Sequence, residues 1–163
     1  GYDHKYIYSH IGYNLKPLDI QAAIGVQQLD KLPTFIQKRK ENFNKLYAAF
    51  KKYEEFFILP KATPRPDPCW FGFLATVRDN AGFTKSEIVA FLEKNNIETR
   101  MLFAGNILKQ PGYKNINRRI VGNLNNADKI MESTFFIGVY PGLDDQRINY
   151  MISKLDEFMG ERQ

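Results

Sequence analysis

The chain has 163 residues, 44% of them hydrophobic, and a formal net charge of +5 at pH 7. This length and composition predict one compact domain with a core of its own, with or without an arm. They exclude a membrane span, because no run approaches about 18 consecutive apolar residues, and the single cysteine, Cys69, excludes an internal disulfide and a cysteine-built metal cluster. The opening lacks the apolar stretch of a secretory signal, so we expect a cytoplasmic protein without a membrane partner.

The positive charge leaves two interpretations, a solvated surface or an anion-binding protein. Its densest cluster, Lys38-Arg39-Lys40, has no aromatic residues interleaved with the charges. A surface for single-stranded nucleic acid needs such aromatic platforms. We therefore expect no nucleic-acid partner, while a small phosphate-bearing molecule remains possible.

The first elements predicted along the chain are two helices. Pro17 suits the first turn of a helix, where its missing N–H would have no partner, and small residues follow it. A second, amphipathic helix is predicted from about residue 34 to 53. The segment 60–68 holds four prolines and is predicted to be a rigid surface connection.

Strands and helices then alternate. Three strands are predicted, at 70–78, 97–102 and 135–140. Between them, Thr84 and Glu87 form a capping box that begins a helix, and Asn125 or Asn126 is predicted to cap another. A closing helix is predicted to start near Asp144. Cys69, between a proline and a tryptophan, is expected to be a small buried side chain.

These elements predict an α+β fold in which two helices precede a sheet of about three strands covered on one face by helices. Several chemical signatures are absent from the sequence, namely a glycine-rich phosphate loop, the spacing of a metal site and a nucleophile elbow. We therefore predict no catalytic residue and no metal ligand within this chain.

Three stretches carry a family resemblance: "GYNLKPLDIQAA", "NNIETRMLFAGNILKQPGY" and "FFIGVYPGL". Together they resemble the C-terminal part of the DegT/DnrJ/EryC1/StrS family of sugar aminotransferases and dehydratases. More narrowly, "YSHIGYN", "TRMLFAGN" and "QPGY" resemble the CDP-4-keto-6-deoxyglucose 3-dehydrases of lipopolysaccharide dideoxysugar (O-antigen) synthesis. The resemblance covers essentially the whole chain.

The resemblance implies the small C-terminal domain of a fold-type I PLP-dependent transferase, over 17–163, preceded by an arm, 1–16, that contacts another domain or the second subunit of a homodimer. It implies that a large cofactor-binding domain lies outside this chain, which by itself would be inactive. In dehydrases of the family the cofactor works as pyridoxamine phosphate (PMP). The CDP-sugar dehydrases among them also carry a [2Fe-2S] cluster, on cysteines upstream of this segment, and receive electrons from a reductase. Their substrate is a nucleotide-diphosphate sugar.

The resemblance also suggests binding residues in the arm. In the family a "GxN" loop reaches the cofactor phosphate of the neighbouring subunit, which assigns that role to Asn14, with Lys16 adding positive charge. Aminotransferases of the family often have an arginine at the position of Lys16. In this chain the point charge of the lysine replaces the bidentate guanidinium of that arginine. From spacing alone, Asn14 is first a turn residue before a helix. His10 is a candidate proton carrier and Tyr8 a candidate substrate contact, with a surface group and a packing residue as the alternatives.

Three further candidates lie in "RMLFAGN". Under the resemblance, Arg100 pairs with the substrate phosphate, Phe103 offers an apolar face to the sugar, and Asn106 hydrogen-bonds to its hydroxyls. The structural alternative is a strand that runs into a turn, with Gly105 and Asn106 chosen for backbone freedom. Both interpretations stay open from the sequence.

Three functions remain open. The first is the C-terminal portion of a PMP-dependent nucleotide-sugar 3-dehydrase. The second is the same portion of a PLP-dependent nucleotide-sugar aminotransferase, which differs by a lysine in place of a histidine at the cofactor aldehyde, outside this chain. The third is a non-enzymatic module that uses its arm and basic surface for association.

Overall fold

A computed structural model describes residues 10–13 and 15–162 of the chain. In the described part, the elements in chain order are α1 (Asp19–Lys51), β1 (Phe57–Ile58), β2 (Gly72–Val77), α2 (Lys85–Lys94), β3 (Thr99–Met101), two single 3₁₀ turns (Ile107–Lys109 and Pro111–Tyr113), α3 (Asn125–Ser133), β4 (Thr134–Gly138) and α4 (Asp145–Gly160). The chain divides into two compact units, 1–34 and 35–163. None of the described helices combines the length and apolar character that crossing a membrane requires.

Helix α1 corrects the prediction of two separate helices. It runs without interruption from Asp19 to Lys51, with Pro33 inside it. Pro33 removes one backbone donor, but the helix continues past it into a stretch rich in Gln, Lys, Arg and Glu, which favour helix. The helix begins two residues after Pro17 because Leu18 occupies the capping position, where its N–H donates to Gln21 Oε1 at 3.0 Å.

In the first unit, the described part of α1 exposes its apolar side chains. Ile20, Ile24 and Leu29 have 59–68% of their surface exposed. This half of the helix therefore makes little contact within its own unit. The predicted boundary of the arm at residues 16 and 17 stays a prediction.

The second unit contains one antiparallel sheet of four strands in the order β1-β2-β4-β3. The sequence analysis predicted about three strands and missed β1. That strand has only two residues, too few for an alternating pattern, and it pairs Phe57 with Val77. The three predicted strands are confirmed, and each is shorter than predicted.

The core lies on one face of this sheet. Phe73 and Ala75 of β2 and Phe135 and Ile137 of β4 are buried, and they alternate with residues of the opposite face. Rings from the second half of α1 pack onto them, with Phe50 and Phe73 at 4.8 Å between centroids. The core-facing hydrophobic residues thus fix which face of the sheet remains for other contacts.

Two further expectations were wrong. Asn125 is the first residue of α3, not its cap, and Leu124 at the capping position makes no side-chain hydrogen bond. Cys69 is exposed. Its neighbour Trp70 instead packs against the core and stacks on Phe43, with 5.1 Å between ring centroids.

The capping box of α2 is confirmed, and so is the start of α4 near Asp144. The Thr84 N–H donates to Glu87 Oε2 at 2.8 Å, and the Glu87 N–H donates to Thr84 Oγ1 at 3.3 Å. The bonds from Thr84 hold the pKa of Glu87 below its ordinary value. Asp144 caps α4 by accepting from the Arg147 N–H at 2.9 Å. Such local signals are legible in sequence because the partners lie three residues apart.

We predict that Thr84→Ala lowers the free energy of unfolding by about 1 kcal/mol, because it leaves the Glu87 N–H without its cap. Urea unfolding followed by circular dichroism measures the change. Thr63→Ala, in the exposed proline-rich segment, is the matched control and should leave stability unchanged. Equal stability of the two variants would contradict the prediction.

Candidate functional site

A groove of about 1180 Å³ runs along the face of β3 and β4 opposite the core and reaches the first turns of α4. Its lining combines exposed aromatic rings, three arginines and two acids. These include Phe71, Phe103, Tyr140, Tyr150, Arg39, Arg100, Arg147, Glu98 and Asp144. A concave surface with this mixture suits a ligand that has both flat rings and negative charge.

The groove surface includes bare backbone at Gly138. Gly72 and Gly138 are register partners on β2 and β4. Before them, Phe136 packs edge-on against Phe71, with 5.8 Å between ring centroids. The cross-strand partner of Phe136 on β3 is Arg100, so both side chains emerge on the groove face.

Two of the predicted site residues, Arg100 and Phe103, line this groove together. Arg100 is exposed and donates from Nη2 to Glu98 Oε1 at 2.6 Å. The Phe103 ring is 81% exposed. Both side chains therefore have contact surface left for a ligand.

Phe103 stands in an unusual backbone conformation. Its φ is +49°, in the left-handed region that costs a residue other than glycine about 1 kcal/mol or more. The neighbouring Gly105, at φ +61°, lies so close to α3 that an added Cβ would meet Met131 Cα at 2.8 Å. The close packing of this loop on α3 thus holds Phe103 in its strained position.

Asn106 is the third predicted residue of this loop, and its surroundings match the structural alternative. It is 6% exposed and is not among the groove-lining residues. Its Nδ2 donates to Asp128 Oδ1 at 2.6 Å, and its Oδ1 accepts from the Leu108 N–H at 3.0 Å. This bond from Asn106, with the bond and charge of Lys109, holds the pKa of Asp128 below its ordinary value. Asn106 therefore anchors the loop that carries Phe103.

A second polar anchor fixes the start of β3. The backbone N–H and the hydroxyl of Thr99 both donate to Glu93 Oε1, at 2.6 and 2.7 Å. These two bonds keep the pKa of the Glu93 carboxyl below its ordinary value. Because Thr99 precedes Arg100, this anchor at the end of α2 also sets the position of Arg100 on the groove.

The turn after β4 supplies a groove residue that the sequence analysis missed. Tyr140 is 68% exposed and lines the groove. Its carbonyl accepts from Asn42 Nδ2 at 3.0 Å and from the Leu143 N–H at 3.0 Å, and its ring lies against Gly142. The tight "YPG" turn directly after a strand was the available sequence signal, but the fully buried Asn42 that holds it is 98 residues away.

The predicted residues of the arm belong to the first unit. His10 and Lys16 are both exposed there. Tyr8 and Asn14 lie outside the described residues. Their proposed contacts with a cofactor phosphate and a substrate remain predictions.

The groove does not fit a role in holding PLP or PMP through covalent chemistry. Among the residues that the structure describes, its lining contains neither lysine nor histidine, the residues that would bond to or exchange protons at the aldehyde carbon of the cofactor. In the described part of the chain, no group of three His, Cys, Asp or Glu residues could hold a metal ion. The groove can bind and orient a ligand, and its arginines can neutralise phosphate charge.

Comparisons with known proteins agree on one family. Residues 1–156 match the DegT/DnrJ/EryC1/StrS aminotransferase family. The chain is 49% identical over 160 residues to the lipopolysaccharide biosynthesis protein RfbH of Salmonella typhimurium, covering 98% of this chain and 37% of that protein. It is 45% identical over 161 residues to dTDP-4-dehydro-2,6-dideoxy-D-glucose 3-dehydratase of Saccharopolyspora spinosa, covering 99% of this chain and 35% of that protein.

Solved structures share the fold. E. coli GDP-4-keto-6-deoxy-D-mannose-3-dehydratase with bound hydrated PLP superposes with a TM-score of 0.80 at 28% identity, over 94% of this chain and 39% of that one. An aminotransferase from Psychrobacter cryohalolentis superposes with a TM-score of 0.83 at 18% identity, over 96% of this chain and 42% of that one, and shows the fold alone. The chain spans less than two-fifths of the length of the two curated relatives above.

We predict that Asn106→Ala loosens the loop from Phe103 to Gln110, because it removes the acceptor of the Leu108 N–H and the donor to Asp128. The expected loss is about 1–3 kcal/mol in the free energy of unfolding, with faster amide hydrogen exchange at Leu108. Asn125→Ala, at the exposed start of α3, is the control and should change neither quantity. Unaltered exchange at Leu108 in the Asn106 variant would refute the anchoring role.

Proposed function

The chain belongs to the DegT/DnrJ/EryC1/StrS aminotransferase family, and on that premise we propose that it forms the C-terminal part of a PMP-dependent nucleotide-sugar 3-dehydratase. The complete enzyme removes the C3 hydroxyl of a CDP-4-keto-6-deoxyhexose in dideoxysugar synthesis for lipopolysaccharide. The portion described above binds and orients the substrate, and the groups that react with the cofactor lie outside it.

One observation carries the proposal: Arg100 and Phe103 converge with Tyr140 on a groove whose described lining residues include no lysine and no histidine. Exposed aromatic rings next to guanidinium groups suit a molecule that joins rings to a diphosphate. Because no described lining residue is a lysine or histidine, we assign the groove to substrate binding and not to the reaction at the cofactor. The 3-dehydratases among the relatives support dehydration as the reaction.

Arg100 is the residue we propose for the diphosphate. In the described structure its guanidinium has a single carboxylate partner, Glu98, and both side chains are about 70% exposed. An exposed pair of this kind contributes little to stability, so its partner can be exchanged at small cost. A diphosphate offers the planar guanidinium two oxygens and therefore a stronger, bidentate contact.

The remaining roles follow the family. Asn14 and Lys16 contact the cofactor phosphate of the other subunit in a homodimer, and His10 and Tyr8 face the substrate. A [2Fe-2S] cluster in a region outside this chain receives electrons from a reductase partner, and the enzyme works in the cytoplasm. The chain alone has no activity.

A second candidate is the corresponding part of a PLP-dependent nucleotide-sugar aminotransferase. The family includes both reactions, and a transaminase of Escherichia coli, dTDP-4-amino-4,6-dideoxy-D-glucose transaminase, is 26% identical to this chain over 144 residues. Both reactions use the same fold. They differ at the cofactor aldehyde, where a lysine supports transamination and a histidine supports dehydration.

The test uses the complete protein with PMP, CDP-4-keto-6-deoxyglucose and an electron-donating reductase. We expect a product that lacks the C3 hydroxyl, detected by mass spectrometry, because the cofactor then works on the sugar without donating its amine. Formation of an amino sugar with glutamate as donor would instead support the aminotransferase. The chain 1–163 alone is the control and should give no turnover.

We also predict that Arg100→Gln in the complete protein raises KM for the nucleotide sugar about tenfold or more, because a charge-assisted contact to the diphosphate is lost. Steady-state kinetics measures the effect, with kcat less affected than KM. Arg119→Gln, an exposed arginine outside the groove, is the control. Equal KM values for the two variants would remove Arg100 from the substrate site.

A further inference from the structure

Strand β4 ends in a glycine whose identity the fold does not explain. Gly138 lies on the groove side of β4, the strand between β2 and β3. It does not have the positive φ that favours glycine, and a Cβ added to it would meet no atom within 4 Å. Alanine would therefore fit this position in the described structure without strain.

The glycine opposite provides a contrast. A Cβ on Gly72 would stand 2.7 Å from Phe136 Cδ2 and 3.1 Å from the Ile137 carbonyl oxygen. Packing inside the domain thus requires glycine at 72 and makes no such demand at 138. Glycine in a strand costs stability relative to residues with a side chain, and in such a position it often marks close approach by a ligand or another backbone.

The surroundings of Gly138 favour a flat ligand. Along the strand, Phe136 precedes it, and Tyr140 follows it on the same face. Phe71, which is 72% exposed, lies on the side of Gly138 toward β2. The ion pair of Glu98 and Arg100 lies on the side toward β3. Bare backbone between exposed aromatic rings leaves room for a ring, and the ion pair offers both donors and acceptors to its polar edge.

The charge of the groove favours an anion on that ligand. Arg100 is paired with Glu98, and Arg147 with Asp144. Arg39 instead donates from Nε and Nη2 to the Trp70 carbonyl at 3.1 and 2.5 Å and has no ion pair with a carboxylate of the described residues. Its charge is left without a counter-charge in the groove, which complements a diphosphate.

We propose that Gly138 is a specificity-determining residue of the groove, because its missing side chain lets a ring of the nucleotide-sugar substrate lie directly on the β4 backbone between Phe71 and Tyr140. This inference rests on the proposed function and adds to it the place of the substrate. The Tyr140 ring forms one side of this binding position, and the hydrogen bond from Asn42 Nδ2 to the Tyr140 carbonyl fixes the backbone there.

The test compares Gly138→Ala with Gly160→Ala in the complete protein. Gly160, at the end of α4, is a matched control because its added Cβ also meets nothing within 4 Å and its φ is ordinary. Isothermal titration calorimetry gives Kd for the 4-keto-6-deoxyhexose derivatives of CDP, dTDP and GDP and for the three nucleoside diphosphates alone. Thermal unfolding gives Tm.

We expect Gly138→Ala to raise Kd for the preferred nucleotide sugar about tenfold or more, since a methyl group then occupies the space of the ring. Its Tm should equal or exceed that of the unmodified protein, whereas a merely structural glycine would lower Tm when replaced. If Kd for the nucleoside diphosphate alone rises equally, the ring is the base. If it does not change, the ring is the hexose. Gly160→Ala should leave every Kd unchanged.

Two results would overturn the inference alone. An unchanged Kd in Gly138→Ala, with normal binding by the unmodified protein, would mean that no substrate ring lies on β4. A lowered Tm in that variant would mean that protein atoms of the complete enzyme cover the glycine. If the unmodified protein binds none of the nucleotide sugars, the proposed function is wrong and the inference falls with it.

Discussion

The alternation of side chains along β4 is the constraint on which the rest of the structure depends. Phe135, Ile137 and Val139 are at most 3% exposed and form part of the core, while the residues between them emerge on the groove face. A slip of one residue in the pairing would exchange the two sets. The register is fixed by the hydrophobic core and by the hydrogen bond between the Thr76 and Thr134 hydroxyls at 2.7 Å. The same pairing therefore stabilises the domain and builds the groove.

Polar side chains then position the edges of the groove. Asn42 holds the turn of Tyr140, Asn106 holds the loop of Phe103, and Glu93 holds the strand of Arg100 through Thr99. Each of these anchors joins a helix to the turn, loop or strand that carries a groove residue. Hydrogen bonds of this kind contribute modestly to stability when made, but they cost more when one partner is missing. They specify where the ligand-facing residues stand.

The sequence predicted the features that depend on nearby residues. The capping box of Thr84 and the start of α4 near Asp144 are confirmed, because the cap of each helix joins residues three positions apart. The helix that contains Pro33 was predicted as two helices. The proline removes only one hydrogen bond, at one position, whereas the preference of the flanking residues for helix acts over many turns and keeps the helix continuous. The short β1 depends on a partner strand and carries no pattern of its own.

The prediction of the candidate site was likewise limited where residues far apart in the sequence come together. The family resemblance selected Arg100 and Phe103, and both line the groove. The same resemblance selected Asn106, whose short polar side chain is instead used inside the domain by Asp128 and Leu108. Tyr140 and Gly138 were missed because their surroundings come from β2, β3 and α1, far away in sequence. Such juxtapositions need the sheet order, which the sequence pattern did not provide.

The most direct measurement is a crystal structure of the complete protein with PMP and the bound nucleotide sugar. The account predicts a ring of the ligand within about 4 Å of the Gly138 backbone, with its diphosphate bonded to Arg100 and Phe103 in contact with the ligand. A ligand bound elsewhere, with the groove filled by the protein's own side chains, would contradict it.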